Sequence, residues 1–193
     1  MCGIVGYVGH RSAQDVVVEG LRRLEYRGYD SAGIALVDAG RIEWRKRAGK
    51  LANLEKEISE EPLPSTTVGI GHTRWATHGA PNDRNAHPHL GHGRRVAVVH
   101  NGIIENFDDL RARLEDDDHH LVSETDTEGA APLLELQVAS GEDLTTAMQR
   151  VCQMLEGAFT LVAVDAQDPD RVVAARRNSP LVVGVGEGEN FLG

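Results

Sequence analysis

Residues 1–8, MCGIVGYV, decide the fold, because a cysteine directly follows the initiator methionine and opens an apolar run. The run Ile4–Val8 predicts a β-strand. If Met1 is removed, Cys2 carries both a thiol and a free α-amine. Their ordinary pKa values of about 8.5 and about 8 let the amine accept the thiol proton near neutrality. One residue then supplies nucleophile and base. A small, inert cysteine at a strand edge is the alternative.

The composition is that of a globular domain with an acidic surface. The chain has 193 residues, of which 40% are hydrophobic and 26% charged, enough for one domain with its own core. The net charge of -10 disfavours nucleic acid and anionic membranes as partners. The sequence shows neither a membrane-spanning run nor a secretory signal, so we expect a cytoplasmic protein. Cys2 and Cys152 cannot form a disulfide framework, and Cys152 is interpreted as a buried structural thiol in a helix.

Strand-like and helix-like segments alternate along the chain and predict an α+β fold with largely antiparallel sheets. Strands are predicted at Ile4–Val8, Ile34–Val37, Ile42–Arg47, Val68–Thr73, Val96–His100, Phe159–Val164, Val172–Ala175, Leu181–Val185 and Asn190–Leu192. Helices are predicted from Ser12 to about Tyr26 and at Leu51–Ser59, Phe107–Leu114, Thr127–Gln137 and Leu144–Leu155.

Four connecting segments have their own patterns. Residues 80–95 are rich in Pro, Asn, His and Gly and predict an irregular surface excursion. Asn101-Gly102 is first of all a turn dipeptide that ends a strand. The segment Ser123–Glu128 matches a capping box and predicts the start of a helix. The charge run Asp116–His120 predicts a solvated loop.

A histidine-rich stretch raises a metal site as an alternative. His87, His89 and His92 are close in sequence, but the stretch has no nearby cysteine and Pro88 makes the ligand geometry awkward. We therefore expect no metal there, and the chemistry considered next requires no cofactor.

Several polar residues follow predicted strands and together describe an amide-cleaving site. A thiol nucleophile needs an oxyanion hole, and the side-chain amide of Asn101 with the backbone N–H of Gly102 supplies two donors. Arg74 offers a bidentate fork for an amino-acid carboxylate, and Asp126 a counter-charge for its ammonium. The alternatives are a surface ion pair for Arg74, a turn for Asn101-Gly102 and a helix cap for Asp126.

Five ordered segments closely resemble the glutaminase domain of the glucosamine-6-phosphate synthase family, the isomerising glutamine–fructose-6-phosphate aminotransferases. These are glutamine amidotransferases of the N-terminal-nucleophile hydrolase superfamily, and the resemblance spans essentially the whole chain. The Tyr-Arg-Gly-Tyr-Asp-Ser-Ala-Gly segment favours this family over the purine enzyme. The five segments are Cys2–Gly6, Tyr26–Gly33, His72–Gly79, His100–Asn106 and Ser123–Glu128.

The resemblance implies a four-layer αββα sandwich with two mainly antiparallel sheets between helices. It implies that Cys2, freed of Met1, is the catalytic nucleophile and that Asn101 and Gly102 form the oxyanion hole. Arg27 is implied to orient the nucleophile.

The resemblance also implies a set of glutamine-binding residues. The carboxylate site involves Arg74 with neighbouring residues, the α-amino site involves Asp126 with the Gly102 carbonyl, and a tryptophan lies on a mobile loop that closes over glutamine. The set is Arg74, Trp75, Thr77, His78, Gly102 and Asp126.

The implied function is hydrolysis of L-glutamine to glutamate and ammonia through a γ-glutamyl thioester. Residues 1–193 are expected to be the glutaminase domain alone, without the sugar isomerase domain that binds fructose 6-phosphate and through which the family forms homodimers. The alternatives are the glutaminase domain of another amidotransferase, such as an amidophosphoribosyltransferase, and a non-catalytic glutamine-sensing module.

Overall fold

The computed structural model describes residues 2–117 and 119–193. Met1 and Asp118 lie outside the described residues. The predicted removal of Met1 and the centre of the predicted loop Asp116–His120 therefore lie outside them too. The strands are β1 (Gly3–Val8), β2 (Ser31–Asp38), β3 (Arg41–Ala48), β4 (Val68–Arg74), β5 (His89–Leu90), β6 (Val96–Ile104), β7 (Gly157–Asp165), β8 (Val173–Arg177), β9 (Val183–Val185) and β10 (Asn190–Leu192). The helices are α1 (Ala13–Leu24), α2 (Leu51–Glu60), α3 (Phe107–Asp116), α4 (Ala130–Ala139) and α5 (Leu144–Met154).

The strands form two antiparallel sheets. The first has the order β3-β2-β4-β1-β10-β9 and the second the order β5-β6-β7-β8. The N-terminal strand β1 therefore lies inside the first sheet, paired with β4 on one side and β10 on the other. Its register places Gly3 opposite Thr73 and Ile4 opposite His72.

Three apolar clusters define four layers. The cluster between the sheets contains Ile4 and Ile70 from the first sheet and Val99 and Val162 from the second. A second cluster packs α1 and α2 against the outer face of the first sheet, and a third packs α3, α4 and α5 against the outer face of the second. The predicted α+β class and four-layer αββα sandwich are confirmed. Among the described helices, none is long and apolar enough to cross a membrane.

Side-chain alternation along the strands brings polar residues to one end of the space between the sheets. Residues two apart on a strand share a face. The face that carries Ile70 on β4 therefore continues to His72 and Arg74, and the face that carries Val99 on β6 continues to Asn101. Cys2 lies two residues before Ile4 and joins the same end.

Residues 80–95 differ from the predicted surface excursion. Asn85, His87 and His89 are buried, and His89 opens the short strand β5. Lys46 holds the segment in place, because its Nζ donates hydrogen bonds to the carbonyl oxygens of Ala86 (2.7 Å), Pro88 (3.2 Å) and Arg84 (3.3 Å). A pattern of turn-forming residues does not reveal that the half-buried Lys46, on strand β3, satisfies their carbonyls.

Asn101-Gly102 is not a turn, because β6 continues to Ile104 and pairs with β7 throughout. Gly102 has φ 124°, and a Cβ there would lie 2.1 Å from the Ala158 carbonyl oxygen. Glycine is required for this conformation and this close approach rather than for chain reversal.

The predicted start of the fourth helix at Thr127 is also wrong. The helix begins at Ala130, and the carboxylate of Glu128 accepts hydrogen bonds from the backbone N–H groups of Val122 (3.0 Å) and Ser123 (2.5 Å). The Ser/Thr-x-x-Glu pattern therefore closes a loop before the helix, and the backbone groups it satisfies belong to that loop.

The histidines considered for a metal site separate. His87 and His89 are buried near His72 and His100, whereas His92 is exposed and stacks on His119 with ring centroids 4.8 Å apart. Within residues 2–117 and 119–193, no group of three His, Cys, Asp or Glu residues is arranged to hold a metal ion. Cys152 lies in α5 as predicted but is only half-buried.

Gly33→Ala is expected to destabilise the fold, because the new Cβ would lie 2.1 Å from the His87 carbonyl oxygen and 2.6 Å from Lys46 Cβ. Overpacking against backbone costs about 2 kcal/mol or more. The free energy of unfolding from urea titration measures this loss. Gly129→Ala is the control, since its nearest contact would be Leu114 Cδ1 at 3.5 Å. Equal stability of the two variants would contradict the close approach.

Stability is expected to fall as the pH is lowered from 7 toward 4. Burial lowers the pKa of His72 to about 3 and also lowers the pKa values of His87, His89 and His100. The unfolded chain therefore binds more protons below its histidine pKa of about 6.5, and each histidine contributes up to about 1.4 kcal/mol per pH unit.

The comparison of His89→Gln with His10→Gln tests the pH effect, because His89 is buried and His10 exposed. Urea titrations between pH 7 and 5 should show a shallower pH dependence of the unfolding free energy for the His89 variant alone. An identical slope in both variants would show that His89 is not held neutral.

Candidate active site

A cavity of about 20 Å³ lies at the polar end of the space between the sheets. It forms where β1 and β4 of the first sheet meet β6 of the second and the segment before α4. The lining contains seven residues predicted from the sequence, Cys2, Arg74, Trp75, Thr77, His78, Gly102 and Asp126, together with His72, His87, His100, Thr125 and Thr127.

The Cys2 thiol is half-buried at the mouth of this cavity. Its Sγ accepts a hydrogen bond from the Trp75 backbone N–H at 3.1 Å and lies 3.5 Å from the Trp75 carbonyl oxygen. Burial raises the pKa of the thiol, and the Trp75 N–H and the Arg74 charge only partly offset this. The sulfur is therefore protonated near neutrality and needs a base to become a nucleophile.

Arg74 is buried and holds the loop that follows it. Its Nη2 donates hydrogen bonds to the carbonyl oxygens of His78 and Gly79, the latter at 3.2 Å, and its Nη1 donates to the Ala80 carbonyl at 3.5 Å. The same guanidinium lies 3.6 Å from a carboxylate oxygen of Asp30. Arg74, which was predicted to bind a substrate carboxylate, thus holds the 75–80 loop against the cavity.

Asp30 is a site residue that sequence reasoning missed. Its carboxylate accepts a hydrogen bond from the Ala76 backbone N–H, and its own backbone N–H donates to the Arg74 carbonyl at 2.6 Å. Asp30 therefore fixes the start of the 75–80 loop at Ala76, and the neighbouring Arg74 guanidinium holds the end of the loop. The available signal was its place in the Tyr26–Gly33 segment.

Asn101 lies on β6 across the cavity from β4. Its Oδ1 is 2.7 Å from Nε2 of His72, which is buried. Gly102, the other predicted oxyanion donor, follows it in the strand and lines the cavity. The facing strands therefore bring together Cys2, Asn101 and Gly102, the three residues predicted to be catalytic.

Asp126 lies at the inner side of the cavity and is buried. Its Oδ2 accepts a hydrogen bond from the Ile104 backbone N–H at 2.9 Å, and its Oδ1 lies 3.5 Å from the Thr127 hydroxyl. The Thr127 hydroxyl is also 2.8 Å from Nδ1 of His100. Asp126 thus presents a fixed negative charge beside the end of β6 rather than acting as a helix cap.

The loop residues Trp75, Thr77 and His78 all line the cavity and differ in their other contacts. Trp75 is 53% exposed, and its ring lies over the Gly28 backbone, where a Cβ would come within 2.9 Å of the indole. The His78 ring packs against Phe107 with centroids 5.1 Å apart. Thr77 lines the cavity between them.

Arg27 lies outside the cavity lining. It is exposed on a 3-10 turn, and its guanidinium lies 5.8 Å from the Tyr26 ring centroid. The Cys2 sulfur contacts the Trp75 backbone, and the orienting role of Arg27 stays a prediction.

Comparison with known proteins agrees with this geometry. The glutamine amidotransferase domain family matches residues 72–192. The glutamine–fructose-6-phosphate aminotransferase (isomerizing) of Streptomyces coelicolor is 67% identical over 192 residues, covering 100% of this chain and 31% of the relative. The enzyme of the same name from Corynebacterium diphtheriae is 62% identical over 202 residues, with 100% and 32% covered. The chain thus spans about a third of the length of these relatives.

A solved structure shares the fold. The glutamine phosphoribosylpyrophosphate amidotransferase from B. subtilis, complexed with ADP and GMP, superposes with a TM-score of 0.81 at 24% identity, covering 100% of this chain and 41% of the other. At that identity the likeness concerns the fold alone, and it agrees with the four-layer sandwich described above. Because the family match covers residues 72–192, this chain belongs to the glutamine amidotransferase domain family.

Proposed function

We propose that this domain hydrolyses L-glutamine to glutamate and ammonia, with Cys2 as the N-terminal nucleophile. One observation carries the proposal. A half-buried thiol, a buried arginine and a buried aspartate converge on one cavity from different elements, and the Asn101 amide contacts His72 in the cavity wall. These groups are what the acyl-transfer chemistry and an amino-acid substrate require.

The reaction begins when the α-amine of processed Cys2 takes the thiol proton and the sulfur attacks the side-chain carbonyl carbon of glutamine. The oxyanion of the tetrahedral intermediate accepts hydrogen bonds from the Asn101 side chain and the Gly102 N–H. The carbon–nitrogen bond breaks as the leaving nitrogen takes the proton back, which releases ammonia and leaves a γ-glutamyl thioester. Water then attacks the thioester, and glutamate leaves as the thiol is restored.

Glutamine is held at its other end by two buried charges. The Arg74 guanidinium pairs with the α-carboxylate, and the Asp126 carboxylate pairs with the α-ammonium. The Asp126 carboxylate is already held by the Ile104 N–H, so little ordering of its side chain accompanies binding.

The 75–80 loop has to move for glutamine to enter. A cavity of about 20 Å³ holds no more than a water molecule, and the Arg74 donors are taken by His78, Gly79 and Ala80. If the Arg74 guanidinium exchanged some of these carbonyls for the substrate carboxylate, the loop would open at the same time as glutamine entered. The exposed Trp75 ring would then close over the bound substrate.

In the longer protein, we infer that the ammonia passes to fructose 6-phosphate, the acceptor named for the relatives that match the whole of this chain. The acceptor site and the contacts of a homodimer would then lie in additional sequence. The domain itself is expected to release ammonia to water.

Glutamate formation by the purified domain tests the proposed function. Cys2→Ser is expected to lower turnover by at least a thousandfold. A serine hydroxyl has a much higher pKa than a thiol and is therefore a far weaker nucleophile near neutral pH. Cys152→Ser, at the half-buried thiol in α5, is the control and should keep full activity. Glutamine binding by calorimetry without turnover in the unaltered domain would identify a sensing module instead.

Asn101→Ala is expected to lower kcat about a hundredfold or more, with little change in KM, because its donor acts on charge that develops only in the transition state. Asn190→Ala is the matched control, since Asn190 is exposed and pairs with Val8 at the opposite end of β1 from Cys2. Steady-state kinetics separate the two parameters. An equal loss in kcat and in glutamine affinity would remove Asn101 from the oxyanion hole.

Asp126→Asn is expected to raise KM about 30-fold or more, because the substrate ammonium loses a desolvated partner. The variant keeps an oxygen acceptor for the Ile104 N–H, so the local backbone is preserved. Asp109→Asn, exposed on α3, is the control. An unchanged KM for the Asp126 variant would place the ammonium elsewhere.

A further inference from the structure

The oxyanion role of Asn101 depends on which end of its amide faces the substrate. The two ends of the group are opposite in character, because Oδ1 only accepts hydrogen bonds and Nδ2 only donates them. A flipped amide would present a lone pair to the developing oxyanion and destabilise it. Something in the structure therefore has to hold the oxygen away from the substrate.

His72 contacts the oxygen end. The distance between its Nε2 and Asn101 Oδ1 is 2.7 Å, and within the described residues Asn101 Nδ2 makes no hydrogen bond. Because Oδ1 can only accept, Nε2 must carry the proton, and Nδ1 of the neutral ring is then a bare acceptor. Nδ1 is buried, and by its geometry it makes no hydrogen bond within the described residues.

The imidazole is itself held in place. His72 is 1% exposed, and its ring stacks on the ring of His87 with centroids 4.2 Å apart and planes at 23°. His87 Nδ1 in turn accepts a hydrogen bond from the His100 backbone N–H at 3.3 Å. His100 precedes Asn101 on β6, so both stacked rings are tied to the strand that carries the oxyanion donor. Burial also lowers the pKa of His72 to about 3, which keeps the ring neutral over the working pH range.

We propose that His72 is a positioning residue that fixes the Asn101 amide by donating from Nε2 to Oδ1, so that Nδ2 is free to donate to the substrate oxyanion. The inference rests on the oxyanion role proposed for Asn101. It assigns His72 an action through Asn101 rather than on glutamine, although the ring lines the same cavity.

The proposal predicts how two substitutions at His72 differ. His72→Phe keeps an aromatic ring to stack on His87 but removes the donor, and kcat is expected to fall about 10- to 100-fold with KM changed less than threefold. His72→Gln retains an amide donor of similar reach, and it should recover most of the lost kcat. His10→Phe, at an exposed histidine, is the control and should leave both parameters unchanged.

A double substitution separates positioning from general damage. In the Asn101→Ala background, His72→Phe should cost less than threefold further in kcat, because the group it positions is already gone. Full additivity of the two losses would overturn the proposal. If Asn101→Ala lowers kcat and His72→Phe does not, the proposal fails while the oxyanion hole stands; if neither lowers it, the oxyanion role itself fails.

The tautomer gives a test on the unaltered protein, independent of whether the Phe variant folds. Long-range proton–nitrogen NMR correlations of the nitrogen-15 labelled domain at pH 7 should show the His72 ring neutral and protonated at Nε2. A ring protonated at Nδ1 would accept from Asn101 instead of donating to it, and that result would overturn the proposal.

Discussion

The antiparallel pairing of β1 with β4 is the constraint on which the site depends. The register that puts Ile4 opposite His72 puts Cys2 beside Arg74. It also buries Ile4 and Ile70 between the sheets, so Cys2 cannot shift along the strand without turning apolar residues outward. The apolar packing of the sandwich thus fixes the position of the thiol. The same alternation on β6 brings Asn101 to the facing wall.

Two cationic side chains, the half-buried Lys46 and the buried Arg74, organise the backbone around this framework. Lys46, whose pKa burial lowers to about 8, gathers three carbonyls of the 84–88 segment, and Arg74 gathers three carbonyls of the 78–80 segment. Buried carbonyls need donors, and here long side chains supply them where strands and helices do not. Lys46 thereby supports the segment that carries His87 and His89, and Arg74 holds the 75–80 loop.

The sequence predicted those features that depend on local pattern or on a recognisable motif. The α+β class, most strand positions and seven of the twelve residues lining the cavity fall in this group, because alternation and motif order survive in a single chain. The continuation of β6 through Asn101-Gly102 was not predicted, since only the partner strand β7 distinguishes that conformation from a turn. The roles of Asp30 and His72 were missed for the same reason, as each depends on a contact between separate elements. Arg74 was predicted as a ligand for substrate, but its hold on the loop became visible only with the loop carbonyls in place.

The central claim is that Cys2, with its own α-amine as the base, is the nucleophile. Intact-mass spectrometry of the purified protein before and after treatment with 6-diazo-5-oxo-norleucine tests it most directly. The account predicts a mass lacking methionine, a single adduct that peptide mapping assigns to Cys2 and protection by excess glutamine. A protein that has lost Met1 yet takes no adduct, or takes it on Cys152, would contradict the account.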